Sequence, residues 1–261
     1  MAFKMVFKRV ETKYLMNPEQ TKAVYEALSE HMILDKYGHS SIRNVYFDTD
    51  NFLLIRRSIE KPEYKEKLRI RSYGKATDDS DVFVELKKKY EKIVYKRRLT
   101  MPHNQAMKWF TTDTQDFPHT QIGEELDFLR YRYPGLKPAM FITYEREAYY
   151  AKDGSDLRIT IDSNILARIH DIDLRSELGG HKVLPEGHIL MEVKTMYGYP
   201  RWLLDVMNKH HIYKSSFTKY GNAYKQMILG KMPEGFKNIP GGADTVEKID
   251  YQLLDYGGGT T

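Results

Sequence analysis

Seven segments of this 261-residue chain alternate apolar and charged residues with a period of two, and this pattern constrains the fold more than any other feature. In residues 67–71, for example, a leucine and an isoleucine alternate with Arg69 and Arg71. Successive side chains of a β-strand point to opposite faces. Each segment is therefore predicted to be a strand with one apolar face and one charged face.

The charged faces carry more positive than negative side chains. The positive residues are Lys13, Arg69, Arg71, Lys87, Lys89, Lys96, Arg98, Arg146, Arg158 and Lys194. The negative residues are Glu11, Glu85, Asp162 and Glu192. The ten positive and four negative residues give these faces an excess of six positive charges. The formal net charge of the whole chain is only +5, so these faces account for all of it.

Such charged faces can point outward to water or inward to the interior of the fold. Charged residues usually contact water, so on any single strand the outside of a sandwich is the ordinary interpretation. Seven segments with the same bias, and charges spaced about 6.5–7 Å apart along each strand, favour an array that points inward. An inward array of like charges repels itself unless an anion neutralises it, so this orientation predicts a polyanionic ligand.

The order of the predicted elements favours an α+β fold built on an antiparallel sheet. Strands are predicted at residues 3–15, 42–49, 52–57, 64–73, 81–91, 93–101, 138–150, 156–163 and 188–196. Helices are predicted at residues 18–31, 103–112, 121–132, 200–210 and 218–230. Strands and helices do not alternate regularly, which argues against a doubly wound parallel sheet. We expect an antiparallel barrel or sandwich with helices packed outside.

Composition narrows the chemistry and the expected location. The chain has no cysteine, which excludes disulfides, thiolate nucleophiles and cysteine-ligated zinc. The first residues lack the apolar run of a signal peptide, and no stretch approaches 18 apolar residues, so we expect a cytoplasmic protein without a membrane span. Residues 232–261 are rich in Gly and Pro, and we expect a loosely ordered tail after one domain at residues 1–231.

Nucleic acid is the competing polyanion. The chain shows no helix-turn-helix, zinc-finger or RNA-recognition signature, and its basic residues share strands with carboxylates. Carboxylates repel a phosphate backbone unless they hold a metal that bridges protein and phosphate. The pattern therefore favours a metal-assisted triphosphate ligand over nucleic acid.

The same segments resemble the polyphosphate polymerase domain of the vacuolar transporter chaperone (VTC) family, which belongs to the CYTH-like triphosphate tunnel metalloenzymes. The resemblance runs from about Phe7 to Gly230. It rests on the order and spacing of Arg9–Tyr14, Val45–Thr49, Lys67–Arg71, Val84–Lys89, Val94–Arg98, Tyr144–Arg146, Arg158–Asp162, Met191–Lys194 and Phe217–Tyr220. It implies an antiparallel barrel of about eight strands around a charged tunnel.

The resemblance also implies roles for single residues. The side chains that would grip phosphates are Lys13, Arg69, Arg71, Lys87, Lys96 or Arg98, and Arg146. Tyr144 would donate a hydrogen bond to a phosphate, Thr218 would close the site together with Lys219, and Glu192 would hold Mg²⁺ or Mn²⁺. The charged faces complete the predicted substrate-binding set with Glu11, Glu85, Lys89, Arg158, Asp162 and Lys194.

The implied reaction transfers the γ-phosphate of ATP to a growing polyphosphate chain. A terminal phosphate is largely ionised at neutral pH, so this reaction needs no strong general base. Two alternatives remain open, namely a triphosphatase in which water is the nucleophile, and a polyphosphate-binding module without catalysis. Lysines predominate over carboxylates on the charged faces, which favours the polymerase, and Glu192 argues against a module that only binds.

Overall fold

The computed structural model describes residues 10–91 and 93–231. Within these residues, nine strands form one antiparallel sheet. The strands are β1 (Val10–Met16), β2 (Met32–Asp48), β3 (Tyr64–Tyr73), β4 (Asp81–Tyr90), β5 (Ile93–Pro102), β6 (Lys137–Ala151), β7 (Arg158–Arg168), β8 (His181–Lys182) and β9 (Ile189–Thr195). Their order across the sheet is β1-β9-β7-β6-β2-β3-β4-β5, and β8 pairs with β7.

The sheet curls into a barrel, as predicted, although hydrogen bonds do not close it in the described part of the chain. The two ends of the strand order, β1 and β5, are not paired with each other. Curling nevertheless brings Lys87 of β4 close enough to Glu11 and Lys13 of β1 for their charges to act on its pKa. The charged strand faces therefore surround a common interior, which we call the tunnel.

Six helices accompany the strands in the described residues. They are α1 (Pro18–His31), α2 (Leu53–Glu60), α3 (His103–Thr111), α4 (Gln121–Arg132), α5 (Arg201–Lys209) and α6 (Lys219–Met227). None of these helices combines the length and the apolar character that a membrane crossing requires.

Two apolar layers outside the sheet fix which strand faces point inward. Trp109 of α3 and Leu126 of α4 are buried against the apolar residues of β2, β3 and β4. Leu28 of α1 and Leu203 of α5 are buried against the apolar residues of β1, β7 and β9. Burial of apolar area is the main driving force of folding. Because the apolar faces of β1, β3, β4, β7 and β9 pack under these helices, the charged faces of these strands are left to line the tunnel.

A third apolar cluster joins α2 and α6 to the sheet. Ile55 of α2 and Tyr224 of α6 pack in this cluster with Ile142 of β6. The ring of Tyr220 stacks on Tyr46 of β2 with 4.5 Å between the ring centroids. This packing fixes the start of α6 beside the tunnel.

Most of the predicted elements are confirmed, and one is wrong. Residues 52–57, predicted as a strand, lie mostly in α2, because the buried residues Leu54, Ile55 and Ser58 follow helical spacing and the carboxylate of Asp48 accepts hydrogen bonds from the first turn. The strand predicted from residue 42 begins ten residues earlier, at Met32, in a stretch without period-two alternation.

Parts of two predictions lie outside the described residues. These are residues 3–9 of the first predicted strand and the predicted tail at residues 232–261. The division of the chain into a domain at residues 1–231 and a tail stays a prediction.

Asp48 links three elements and should stabilise the fold strongly. Its carboxylate is fully buried and accepts hydrogen bonds from the backbone of Leu54 (2.8 Å) and Ile55 (3.0 Å) and from the Tyr220 hydroxyl (2.9 Å). Asp48→Ala leaves these buried donors without an acceptor. We expect a loss of about 2–4 kcal/mol in the free energy of unfolding, measured by urea denaturation.

Asp50→Ala is the matched control, because the Asp50 carboxylate is exposed and pairs with Lys137 at the surface. This variant should stay within about 0.5 kcal/mol of the wild type. Equal losses in the two variants would contradict the linking role of Asp48.

Candidate functional site

Glu85 of β4 lies at the centre of a group that we call the arginine cluster. It stands directly opposite Arg69 of β3 and Arg98 of β5, and its side chain is 2% exposed. Arg69 Nε donates to Glu85 Oε2 at 2.8 Å, Arg98 Nε donates to Oε1 at 2.7 Å, and Lys96 Nζ lies 2.7 Å from Oε1. One buried carboxylate thus holds several cations on one wall of the tunnel.

The cations around Glu85 decide its charge. Burial alone would raise the pKa of Glu85, but Arg69, Arg71 and Lys96 outweigh burial and hold that pKa well below its ordinary value. Glu85 is therefore ionised at neutral pH and neutralises only one of the positive charges around it.

Arg71 connects the arginine cluster to the neighbouring strands. Its Nε donates to Asn44 Oδ1 at 2.9 Å, and its Nη2 donates to the Tyr144 hydroxyl at 3.0 Å. Arg69 Nη1 likewise donates to the Tyr46 hydroxyl at 3.0 Å. These contacts fix both guanidinium groups before any ligand binds.

Asn44 and Tyr46 were missed in the sequence, although a period-two reading places them on one face of β2. Neither residue is charged, so the pattern of charged faces does not include them.

Asp162 and Glu192 form the second group on the opposite wall, which we call the acidic cluster. Arg146 holds Asp162 with a fork of two hydrogen bonds at 2.6 and 2.7 Å, and Lys219 forms an ion pair with the same carboxylate. Glu192 lies 3.1 Å from Lys13, 3.6 Å from Lys219 and 3.7 Å from Arg146. Burial alone would raise the pKa of both acids, but Lys219 and the other cations lower both.

Lys219 reaches the acidic cluster because it is the first residue of α6. Burial would lower its pKa, but Asp162 and Glu192 outweigh burial and raise it, so the ammonium stays charged. It lies 4.3 Å from the centroid of the Tyr144 ring. Burial would raise the pKa of Tyr144, yet Arg71, Arg146 and Lys219 lower it, which makes its hydroxyl a stronger hydrogen-bond donor.

Thr218 has a visible role at the start of the same helix. Its hydroxyl accepts a hydrogen bond from the Gly221 backbone at 3.2 Å, which is the contact of an N-cap. Thr218 therefore helps to position Lys219. The phosphate contact predicted for Thr218 stays a prediction.

Beyond the arginine cluster, towards the turn between β4 and β5, the tunnel wall carries two rows of lysines. Lys67, Lys87 and Lys96 stand side by side and form the inner row, and Lys65 and Lys89 form the outer row. Lys67 and Lys87 form no ion pair with a carboxylate of the described residues. Burial and the nearby charges of Lys13, Lys65 and Lys87 lower the pKa of Lys67 to about 7.

Lys65 and Lys67 were also missed in the sequence. The period-two pattern places both on the same face of β3 as Arg69.

Three of the remaining predicted residues lie on the other side of the tunnel. Lys194 lies 3.8 Å from Glu192 and 3.9 Å from Glu11, and Glu11 lies 3.8 Å from Lys13. Arg158 stands opposite Lys194 and lies 5.3 Å from the Tyr150 ring centroid, with its side chain exposed. The structure thus brings the predicted set together around the tunnel, with Arg158 at its margin.

The residues of the acidic cluster fit a divalent cation only together with phosphate oxygens. Among the described residues, no three His, Asp or Glu side chains group in a way that could hold a metal ion by themselves. Mg²⁺ is commonly held by one or two carboxylates together with substrate phosphates. Glu192, with Asp162 near the same cations, offers that donor set.

The low pKa of Lys67 predicts proton uptake when an anion binds. Above pH 7 its amine is mostly neutral in the empty tunnel, and a phosphate nearby raises its pKa again, so that a proton is taken up. Below pH 7 the amine is already charged and the uptake fades. Calorimetry of tripolyphosphate binding in buffers of different ionisation enthalpy measures the protons exchanged.

Comparison with variants distinguishes the proton taken up by Lys67 from protons exchanged by the ligand itself. Lys67→Gln should take up fewer protons than the wild type above pH 7. Lys88→Gln should match the wild type, because Lys88 lies on the outer face of β4 and pairs with Glu125 at 3.3 Å. The same proton count in Lys67→Gln and in the wild type would contradict this assignment.

Comparison with solved structures places the fold among known ones. A candidate adenylate cyclase from Bacillus halodurans is 18% identical, with 80% of this chain and 93% of that chain covered and a TM-score of 0.51. A candidate adenylyl cyclase from Hippeastrum, reported with a dominant triphosphatase activity, is 15% identical over 87% of this chain and 98% of that chain, with a TM-score of 0.48. The first similarity shows that this chain has a CYTH-like fold.

Comparison by sequence gives the family. No curated protein matches the chain. A family profile described as the VTC domain matches residues 8–228, which include every strand, every helix and every tunnel residue described above. The chain therefore belongs to the VTC domain family.

Proposed function

We propose that this chain is a metal-dependent polyphosphate polymerase that transfers the γ-phosphate of ATP to a growing polyphosphate chain inside the tunnel. One observation carries the proposal: each carboxylate of the tunnel is already paired with at least two cations, whereas Lys67 and Lys87 of the inner row have no carboxylate partner among the described residues. Membership of the VTC domain family supports it.

The charges of the tunnel call for a polyanion as ligand. Lys65, Lys67 and Lys219 join the ten positive residues that the sequence assigned to the charged faces, while the four carboxylates stay the same. Like charges held close together in a partly buried space are unfavourable until counter-charges enter. A triphosphate and a polyphosphate chain bring many negative charges into a narrow space.

The state of the carboxylates favours the polymerase over hydrolysis. Glu85, Asp162 and Glu192 have lowered pKa values and are held by cations, so none is poised to take a proton from water. A terminal phosphate needs no such base, because its oxygen is largely ionised at neutral pH. The tunnel therefore suits a phosphate nucleophile better than a water molecule.

The positions of the side chains suggest a division of roles. Arg69, Arg71 and Arg146 present planar guanidinium groups, which suit contact with two phosphate oxygens at once. Lys13 and Lys219 place point charges next to Glu192. Glu192 would hold Mn²⁺ or Mg²⁺ together with phosphate oxygens, and the metal would neutralise charge on the transferred group.

Polymer formation tests the proposal directly. Purified protein is incubated with ATP and Mn²⁺ or Mg²⁺, and the products are separated on a polyphosphate-staining gel beside an assay of released phosphate. The wild type should make long polymer. Lys87→Ala and Glu192→Gln should each lower the rate about 10²–10³-fold. Lys87→Ala removes a positive charge that would contact the phosphates, and Glu192→Gln removes the carboxylate charge that would hold the metal.

Glu125→Gln is the matched control for Glu192→Gln. Glu125 pairs with Lys88 and Arg97 on the outer side of the sheet, so this variant should keep the wild-type rate. Free phosphate without polymer would reject the polymerase in favour of a triphosphatase. Tight binding of polyphosphate without either product would leave a binding module, and full activity of both tunnel variants would reject the site assignment.

A further inference from the structure

Two aromatic rings lie on the tunnel face next to the arginine cluster. Phe83 stands directly opposite Arg71 on the neighbouring strand, so its side chain shares the tunnel face with Arg71. Tyr73 is two residues beyond Arg71 on β3, and its ring meets the Phe83 ring edge to face with 5.6 Å between the centroids. The two rings form one aromatic surface, which we call the aromatic pair.

The tunnel wall changes its chemical character along these two strands. On β3 the tunnel face carries Tyr73, then two arginines and then two lysines, and on β4 it carries Phe83, then Glu85 and then two lysines. A nucleoside triphosphate has its groups in the same order, with an aromatic base at one end, a ribose beside it and phosphates at the other end. An inorganic polyphosphate has no group that matches the aromatic end of this wall.

Arg98 joins the aromatic pair to the arginine cluster. Its guanidinium carbon lies over the Phe83 ring at 4.5 Å from the centroid, which is a cation–π contact, and its Nε donates to Glu85 Oε1 at 2.7 Å. The N–H groups of a guanidinium lie in its plane, so the hydrogen bond to Glu85 uses the edge of the group and not its faces. The Arg98 side chain is still 37% exposed, so it is accessible to a flat ligand beside the aromatic pair.

Packing of the apolar core does not account for the aromatic pair. Tyr73 is 54% exposed and Phe83 is half-buried, and neither ring belongs to an apolar cluster of the described residues. Rings that stay open to a charged tunnel contribute little to folding, because the gain comes from apolar area that leaves water. Exposed rings next to basic groups are a common means of binding bases by stacking.

A second aromatic–arginine contact lies at the margin of the tunnel, but it is farther from the phosphate-binding groups. The guanidinium carbon of Arg158 lies 5.3 Å from the centroid of the Tyr150 ring. Tyr150 is four residues along β6 from Arg146, about 13 Å, whereas Phe83 is two residues along β4 from Glu85, about 7 Å. Only the ribose separates the base of a nucleotide from its phosphates, so the shorter spacing fits a nucleotide better.

We propose that Tyr73, Phe83 and Arg98 form a stacking site for the base of a nucleoside triphosphate whose phosphates lie at the arginine cluster. The choice of a nucleoside triphosphate rests on the proposed function, but the stacking site depends only on binding and needs no catalysis. The site adds affinity for nucleotides that inorganic tripolyphosphate does not gain.

Binding measured by calorimetry at constant ionic strength tests the stacking site. The probes are tripolyphosphate and an ATP analogue with an imido group between the β and γ phosphates, which prevents transfer. Tyr73→Leu and Phe83→Leu should each bind the analogue about five- to twentyfold more weakly than the wild type, because each removes a ring from the base. Their affinity for tripolyphosphate should stay within about twofold. Tyr73→Phe keeps the ring and should bind both probes like the wild type.

Tyr95→Leu and Tyr150→Leu are the matched controls. Tyr95 is 42% exposed and stands opposite Lys88 on the outer face of the sheet, and Tyr150 lies at the tunnel margin. Both controls should bind both probes like the wild type. A loss for the analogue in either control equal to that in the variants of the aromatic pair would overturn the stacking site. In those variants, an equal loss for both probes, or no loss for the analogue, would overturn it as well.

Polymer formation by the wild type separates the two possible failures. If the wild type makes no polymer from ATP but Tyr73→Leu and Phe83→Leu still lose affinity for the analogue alone, the proposed reaction fails and the stacking site stands. If the wild type makes polymer and both variants bind the analogue as tightly as the wild type does, the reaction stands and the stacking site is wrong.

Discussion

Like-charge repulsion inside a curled sheet is the constraint on which this structure depends. Helices cover the outer, apolar faces of these strands, so the charged faces point into the tunnel. Four carboxylates hold the cations in place by ion pairs. Glu85 and Asp162 are the most buried of the four. They do not neutralise all of the positive charge, and the remainder is what a phosphate ligand would neutralise.

The two charged clusters differ in how the fold supports them. The arginine cluster is built by strand register alone, since Arg69, Glu85 and Arg98 stand in line on three neighbouring strands. The acidic cluster also needs a helix, because Lys219 enters it from the start of α6. Asp48 accepts hydrogen bonds from the first turn of α2 and from the hydroxyl of Tyr220 in α6. It therefore helps to fix the start of α6, where Lys219 enters the acidic cluster.

The period-two pattern predicted most strands and nearly all of the charged residues that meet in the tunnel. It failed where another interaction decided the outcome. Residues 52–57 look like a strand because the first four of them are apolar. The hydrogen bonds from their backbone to Asp48 are tertiary contacts that no local pattern reveals. Asn44 and Tyr46 are uncharged, so their contacts with the arginines became visible only when the neighbouring strands were in register.

The central claim is that the folded protein carries uncompensated positive charge that a chain of phosphates neutralises. Thermal unfolding in the presence of tripolyphosphate, with the ionic strength held constant by NaCl, tests it most directly. A ligand that binds only the folded state raises the melting temperature as its concentration increases. The account predicts such a rise, well above that given by equal ionic strength of chloride. A melting temperature that tripolyphosphate leaves unchanged would contradict it.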